Sequence, residues 1–153
     1  MSQITVEEIE DALVPFFQAI DGLVTVWTDF PDEMQSRELP AVVLSPKAAS
    51  YDRETYGADS LLVRREWRAV LFAAEGVTGR EFQSEQAAKP FLSRLPDALA
   101  ALGRVVLDDG RVFDVLLHAR GDTGVAQIPY TGRPYIGTSV SFTVETITYI
   151  EEQ

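Results

Sequence analysis

The densest group of chemically functional side chains lies between Tyr51 and Asp59, in the sequence YDRETYGAD. Its carboxylates, Asp52, Glu54 and Asp59, could gather around a hard divalent cation, which is the chemistry of a small metal-dependent hydrolase. Their spacing does not match the acidic, glycine-containing loop that binds calcium. The segment is more typical of a solvated loop that contacts a partner. We therefore predict an interface here, formed by Tyr51, Asp52, Arg53, Glu54 and Tyr56.

Two other groups are weaker candidates for catalysis. His118 is the only histidine in the chain, so no second imidazole is present for a multi-histidine metal site, and we predict a structural role for it. Residues 121–124 read GDTG, but an aspartic protease pairs two such loops, and a single copy would require a homodimer. The glycine-rich segments lack the strand, loop and helix of a phosphate-binding site. We predict no catalytic residue, metal ligand or cofactor.

Positive charge is concentrated at Arg64, Arg65 and Arg68, which surround Trp67. Alternation along a strand would place Arg64 and Arg68 on one face and Arg65 with Trp67 on the other. The three arginines then do not form one phosphate-binding patch. Arginine beside an aromatic ring is typical of protein interfaces, so we add these four residues to the predicted subunit or partner interface.

The composition excludes several classes of protein. A chain of 153 residues predicts a single domain, 1–153, that buries enough surface to fold without disulfides or metals. The 46% of apolar residues is too high for a disordered chain. The absence of cysteine excludes thiolate zinc sites, iron–sulfur clusters and cysteine nucleophiles. No apolar run is long enough for a membrane helix, and the acidic N-terminus predicts no secretory signal.

The formal charge of −11 is distributed unevenly. Residues 1–40 contain nine acids and a single base, Arg37, and so carry −8 of that charge. Such an acidic surface repels phosphate backbones, which argues against a sequence-reading nucleic-acid binder. The asymmetry predicts that one side of the molecule carries most of the negative field.

A capping box at Thr5 and Glu8 predicts the start of an N-terminal helix. An apolar stripe with helical spacing follows it, composed of Ile9, Leu13, Phe16, Phe17 and Ile20. Pro15 should kink this helix, and the Asp21-Gly22 pair should end it. A second capping box, Thr78 with Glu81, predicts another helix that stops at Gly103, and Pro90 and Pro96 should divide or bend it.

Residues 23–27 and 41–44 have the composition of short strands, and the polar segments 28–40 and 45–60 read as loops. Both loops are long for a compact domain, so we expect them to become ordered against neighbouring subunits or a partner such as a tube. Residues 61–74 predict one long strand.

An Asp-Gly turn at 108–110 predicts a hairpin between residues 105–107 and 112–119. A connection rich in glycine and proline, 121–137, precedes the last strand. Val140, Phe142 and Val144 alternate with polar residues before the apolar phase changes at Ile147, which predicts a β-bulge. The whole pattern indicates an α+β fold, a mostly antiparallel sheet with an N-terminal helix and a second, kinked helix packed on one face.

The order of these segments resembles that of the tail terminator proteins, also called tail completion or head-to-tail joining proteins, of long-tailed bacteriophages and related tail-like particles. The features that carry the resemblance are the acidic helix, the segment LPAVVLSP at 39–46, the Tyr51 to Gly57 loop, the arginine-bearing strand, the second capped helix and the terminal strand GTSVSFTVE at 137–145.

The resemblance implies a non-catalytic subunit that closes into a homohexameric ring, caps the tail tube and joins it to the head connector, without a cofactor. It implies a location in the virion, at the head-proximal end of the tail, after synthesis in the host cytoplasm. DNA would pass through such a ring without specific binding, and no membrane is involved. Acidic walls suit that passage, because they offer no cations to phosphate. The candidate lumen residues are Glu7, Glu8, Glu10, Asp11, Asp108 and Asp109. The alternatives are another connector, stopper or tube protein, and the metal-dependent hydrolase.

Overall fold

The computed structural model of the chain describes residues 4–52, 60–76 and 81–149, without the side chains of 81–84, 118–121 and 148–149. The helices are α1 (Val6–Gln18), α2 (Glu81–Ala88) and α3 (Phe91–Leu102). The strands are β1 (Thr25–Trp27), β2 (Ala41–Asp52), β3 (Ser60–Glu75), β4 (Arg104–Val106), β5 (Val112–Asp122), β6 (Ala126–Tyr130) and β7 (Arg133–Tyr149). A short 3-10 turn, Ser36–Glu38, precedes β2.

The strands form one sheet in the order β1, β2, β3, β7, β5, β4, and β6 pairs with β7. All pairs are antiparallel except β1 with β2, which are parallel. The predicted α+β class with a mostly antiparallel sheet is confirmed at this level, and the parallel pair makes the sheet mixed. The predicted hairpin around the Asp-Gly turn is also confirmed, because Val106 of β4 pairs with Val112 of β5.

The start of α1 follows the predicted capping box. The Glu8 backbone N–H donates to Thr5 Oγ1 at 3.1 Å, and the Thr5 N–H donates to Glu8 Oε1 at 3.2 Å. These two bonds satisfy donors that a helix N-terminus otherwise leaves open. The helix continues through Pro15 to Gln18. Its buried side chains fix the face that it turns to the sheet, with Phe17 against Phe142.

The main core lies between one face of the sheet and helices α1 and α3. Trp67 is fully buried and stacks on Phe142, with ring centroids 6.3 Å apart. The prediction of Trp67 as an interface residue is therefore wrong. Its odd position on β3 directs it to the helix-covered face, where burial of so large a ring contributes strongly to stability.

A smaller cluster lies on the opposite, helix-free face of the sheet. Met34, from the connection between β1 and β2, is only 2% exposed and packs with Val43, Phe72 and Tyr135. The connection 28–40 is thus attached to the chain's own sheet. Contact between its exposed residues and another subunit stays a prediction.

Two segments that were predicted to be loops contain strands. Residues 45–52 continue β2, because β3 pairs with them across an irregularity between Pro46 and Ala49 that accommodates the proline. Residues 121–137 contain the end of β5, the whole of β6 and the start of β7. At Gly137 a Cβ atom would stand 1.7 Å from the Leu71 carbonyl oxygen, so glycine permits the close approach of two paired strands there.

The prediction of a β-bulge after Glu145 is wrong. The register between β3 and β7 is continuous from Glu145 to Ile147. Thr146 is buried and Ile147 is 40% exposed, so buried and exposed positions keep alternating along β7. A polar residue simply occupies a buried position here, and an apolar residue occupies an exposed one. Irregularities lie instead between Phe72 and Ala74 in β3 and between Leu117 and Asp122 in β5.

The second predicted helix is two helices. α2 ends at Ala88 and α3 begins at Phe91, with Lys89 and Pro90 between them. α3 itself continues through Pro96. The predicted cap at Thr78 lies outside the described residues. Within the part of the chain that the structure describes, no helix is long and apolar enough to cross a membrane.

Candidate functional site

A groove with a cavity volume of about 600 Å³ separates α1 from the turn between β4 and β5. Its floor is apolar, with Ala12, Val105 and Leu107, and Phe16 forms one wall. Four of the predicted lumen acids line it: Glu8, Asp11, Asp108 and Asp109. In the sequence, Glu8 and Asp11 lie about 100 residues before Asp108 and Asp109. The fold brings the two pairs together along one side of α1.

Arg111 closes one end of this groove by binding two of the acids. Its guanidinium Nε donates to Asp109 Oδ2 at 2.7 Å, its Nη1 donates to Glu8 Oε1 at 3.3 Å, and its Nη2 contacts both carboxylates. The Arg111 side chain is only 14% exposed. The hydrogen bonds from Arg111 lower the pKa of Glu8 and the pKa of Asp109, and they raise the pKa of Arg111 itself. This triad joins the first turn of α1 to the β4–β5 hairpin.

The other side of α1 carries acids for which the described residues supply no such base. Burial raises the pKa of Glu10, and the charges of Asp29, Glu7 and Asp11 raise it further. The raised pKa of Glu10 therefore reflects burial first and repulsion between like charges second, and a hydrogen bond with the Thr28 side chain partly opposes both. The acids therefore divide into the triad side, with Glu8 and Asp109 bound to Arg111, and the repulsive side, which we call the Glu10 flank: Glu7, Glu10 and Asp29.

The arginine strand behaves as its alternation predicts. Arg64 and Arg68 are exposed on the helix-free face, and Arg64 Nε lies 3.1 Å from Glu145 Oε2. Arg65 points to the helix-covered face and donates to the Lys47 carbonyl oxygen at 2.8 Å. In the register of the sheet, the pair of Arg64 and Glu145 continues into a second one on β5 and β4, where Arg104 Nε lies 3.1 Å from Asp114 Oδ1. Arg64 thus forms its ion pair with an acid on the neighbouring strand β7.

The predicted interface loop is described only at its start. Tyr51 is 61% exposed and Asp52 is half-buried. Arg53, Glu54, Tyr56 and Asp59 lie outside the described residues, so the carboxylate group of the hydrolase alternative is not tested. Within the ranges 4–52, 60–76 and 81–149, no group of three or more His, Cys, Asp or Glu side chains could hold a metal ion.

The GDTG segment forms a hydrogen-bonded turn at the end of β5. Asp122 Oδ1 accepts the Gly124 N–H at 2.8 Å, and Thr123 Oγ1 accepts the Ser139 N–H at 3.0 Å. The first bond is local, and the second attaches the chain just after β5 to β7. The backbone of His118 lies in β5, and its side chain is not among those that the structure describes.

The sequence did not identify two important residues of the groove. Arg111 pairs with an acid 103 positions away, and nothing local distinguishes it from other arginines next to a turn. Phe16 was assigned to the apolar core stripe of α1, but it is 46% exposed. A second groove, with a volume of about 340 Å³, lies on its other side against α3. Phe16 thus stands as an exposed ring between two grooves, lined on the α3 side by Ala98 and Ala101.

Neither a protein-family model nor a curated protein sequence gives a significant match to the chain.

Proposed function

We propose that this protein is a non-catalytic virion subunit, a tail terminator that closes into a ring of about six copies, caps the tail tube and joins it to the head connector. The proposal rests on the order of the sequence segments and on the distribution of charge in the folded chain. Its location would be the head-proximal end of a phage tail. Its partners would be other copies of itself, the tube protein and the connector protein.

The observation that carries this proposal is the acidic side of the molecule. Acids that are distant in sequence gather around α1 and the β4–β5 turn, and repulsion from Asp29, Glu7 and Asp11 adds to the burial that raises the pKa of Glu10. A fold does not gain stability from such repulsion. The arrangement is understandable if the negative field itself has a use, such as forming a channel wall that DNA passes without being held.

The described contacts of the acids indicate which of them would face the channel. Glu8 and Asp109 hold the hairpin to α1 through Arg111, whose positive charge is shared between the two carboxylates and offsets part of their negative charge. The Glu10 flank has no comparable base in the described interactions that shift its pKa. We therefore assign the lumen to the Glu10 flank, with Glu7 and Glu10 as its helix residues.

Native mass spectrometry and negative-stain imaging of the purified protein test the ring. The proposal expects closed rings of about six subunits, alone or after addition of tail tubes. Labelled protein should then decorate one end of each tube, next to the head. Labelling along the whole tube would identify a tube protein, labelling on the head side alone would identify a stopper or adaptor, and a monomer that never binds tubes would refute the proposal.

A charge-reversed ring tests the lumen. The variant Glu7→Lys with Glu10→Lys should make the ring retain DNA in a filter-binding assay, and the retention should fall steeply as salt increases. Asp32→Lys with Glu33→Lys is the matched control, because it changes the net charge equally at exposed positions of the 28–40 connection. Equal retention by both variants would show that total charge matters and that the Glu10 flank has no special position.

A further inference from the structure

The two outer surfaces of the molecule differ in a way that is suited to contact between copies. On the helix side, the groove combines an apolar floor and the exposed Phe16 ring with the acidic rim of Asp11 and Asp108. On the other side, the helix-free face of the sheet exposes apolar side chains of its own. Because Phe113 and Val115 are buried under the helices, the alternate residue Leu116 must point away from them, and it is exposed.

On the helix-free face, two ion pairs balance the charges of neighbouring strands. Arg64 and Arg104 form ion pairs with Glu145 and Asp114. Arg68 is exposed between Ser45 and Ser141 of the neighbouring strands, and among the described residues no acid forms an ion pair with it. This face therefore presents Arg68, with Glu66 two residues before it on the same face of β3, beside exposed apolar side chains and without the excess of acids that marks the helix side.

The electrostatics select the way in which two copies can meet. A two-fold contact through the groove would place Asp11 and Asp108 against their own counterparts, which costs free energy because like charges approach. A contact between the groove of one copy and the helix-free face of the next places the acids opposite Arg68 and covers Phe16 with apolar side chains such as Leu116. Such a contact between two different surfaces repeats from copy to copy and can close a ring.

We infer that the groove between α1 and the β4–β5 turn is the docking site for the helix-free sheet face of a second copy of this chain, with Arg68 directed to the acidic rim. The inference rests on the proposed ring and names the surfaces that build it. It leaves the Glu10 flank, on the other side of α1, available for the channel.

Two variants that each block one surface test this contact. Asp11→Lys with Asp108→Lys reverses the acidic rim, and Arg68→Glu with Leu116→Glu reverses the sheet face. Each variant alone should lose the ring. Mixing the two should restore association, because the intact groove can bind the intact face and the reversed groove presents lysines to the glutamates of the reversed face. Native mass spectrometry measures the mass of the mixed assemblies. Rings from either variant alone, or no association in the mixture, would overturn the inference.

Crosslinking supplies a readout that does not require a stable ring. The chain contains no cysteine, so engineered thiols react without background. Pro15, which is exposed and lines the groove, and Ser141, paired with Arg68 across β3 and β7, each become cysteine in separate variants. Oxidation of the mixture should give Pro15→Cys joined to Ser141→Cys, whereas each variant alone should give no crosslink. Lys89→Cys, at the exposed turn between α2 and α3, is the control that should not crosslink to either.

The results separate this inference from the proposed function. If the wild-type protein forms rings but Pro15→Cys crosslinks only to itself, or Ser141→Cys only to itself, the ring stands and the assigned surfaces are refuted. A wild-type protein that stays monomeric and never binds tubes would refute the tail terminator, while mixed crosslinks at high concentration would still support the assigned contact. Circular dichroism and melting curves of every variant establish that it is folded.

Discussion

Glu8 and Glu10 stand two residues apart on α1, and their pKa values shift in opposite directions. Hydrogen bonds from Arg111, and then from the Thr5 backbone, lower the pKa of Glu8. Burial and the charges of Asp29, Glu7 and Asp11 raise the pKa of Glu10. The same side chain on the same helix therefore stabilises the fold at one position and opposes it at the other. The difference separates acids that build the molecule from acids whose charge is available for a partner or a channel.

Among the variants that test this comparison, removal of the Arg111 side chain should change the free energy of unfolding most. Arg111→Ala leaves Glu8 and Asp109 facing each other without their shared base, so the triad side becomes repulsive like the Glu10 flank. We expect a clear loss in the free energy of unfolding, measured by urea denaturation. Arg104→Ala is the control, since its pair with Asp114 is exposed and should contribute no more than about 1 kcal/mol. Equal effects of the two variants would contradict the structural role of the triad.

The pH dependence of the Arg111 effect follows from the lowered pKa values. Glu8 and Asp109 contribute stability above their ordinary pKa, and this contribution is lost as the pH falls through their lowered pKa in the folded state. The difference in stability between wild type and Arg111→Ala should therefore be complete at pH 7 and decrease below about pH 4. Melting temperatures across this pH range measure it. A difference that stays constant into strong acid would rule out ionic contacts as its source.

Loss of the helix cap should have a moderate effect. Thr5→Ala removes the hydroxyl that accepts the Glu8 N–H, and an N-cap of this kind is worth about 1 kcal/mol. Urea denaturation measures the loss. Ser93→Ala is the matched control, because its hydroxyl also lies in the first turn of a helix but donates to the Pro90 carbonyl oxygen without accepting from a helix N–H. A control that loses as much stability as Thr5→Ala would argue against the cap.

Neutralisation of Glu10 should have the smallest effect, and in the opposite direction. Because the folded state raises the pKa of Glu10, its ionised form opposes folding above that pKa, and protonation relieves the opposition as the pH falls through it. Glu10→Gln should therefore raise the melting temperature slightly at pH 7 and give no gain in acid. Glu85→Gln, at an exposed position of α2, is the control. Destabilisation by Glu10→Gln at pH 7 would contradict the assignment of Glu10 to a repulsive flank.

Local signals in the sequence predicted the elements that depend on neighbouring residues. The Thr5 and Glu8 box predicted the start of α1, and the Asp-Gly turn predicted the hairpin of β4 and β5. The alternation of Arg64 and Arg68 correctly predicted that the arginines do not form one patch, because alternation is a property of any extended chain.

Features that depend on distant residues could not be predicted in this way. Polar residues 45–52 form a strand because β3 offers them a partner, and strand propensity alone does not reveal a partner. The triad joins Glu8 to Arg111 across most of the chain, and Phe16 is exposed because the grooves on both sides of it leave it uncovered. The interpretation of Trp67 failed for a related reason: an aromatic residue between arginines can equally face the core.

A cryo-electron microscopy reconstruction of the assembled protein tests the central claim most directly. We predict a closed ring of about six subunits. In this ring the Glu10 flank of α1 lines the channel, and the next copy covers the groove on the other side of α1. A ring with Glu7 and Glu10 on its outer rim, or a particle in which the groove faces solvent in every copy, would contradict it.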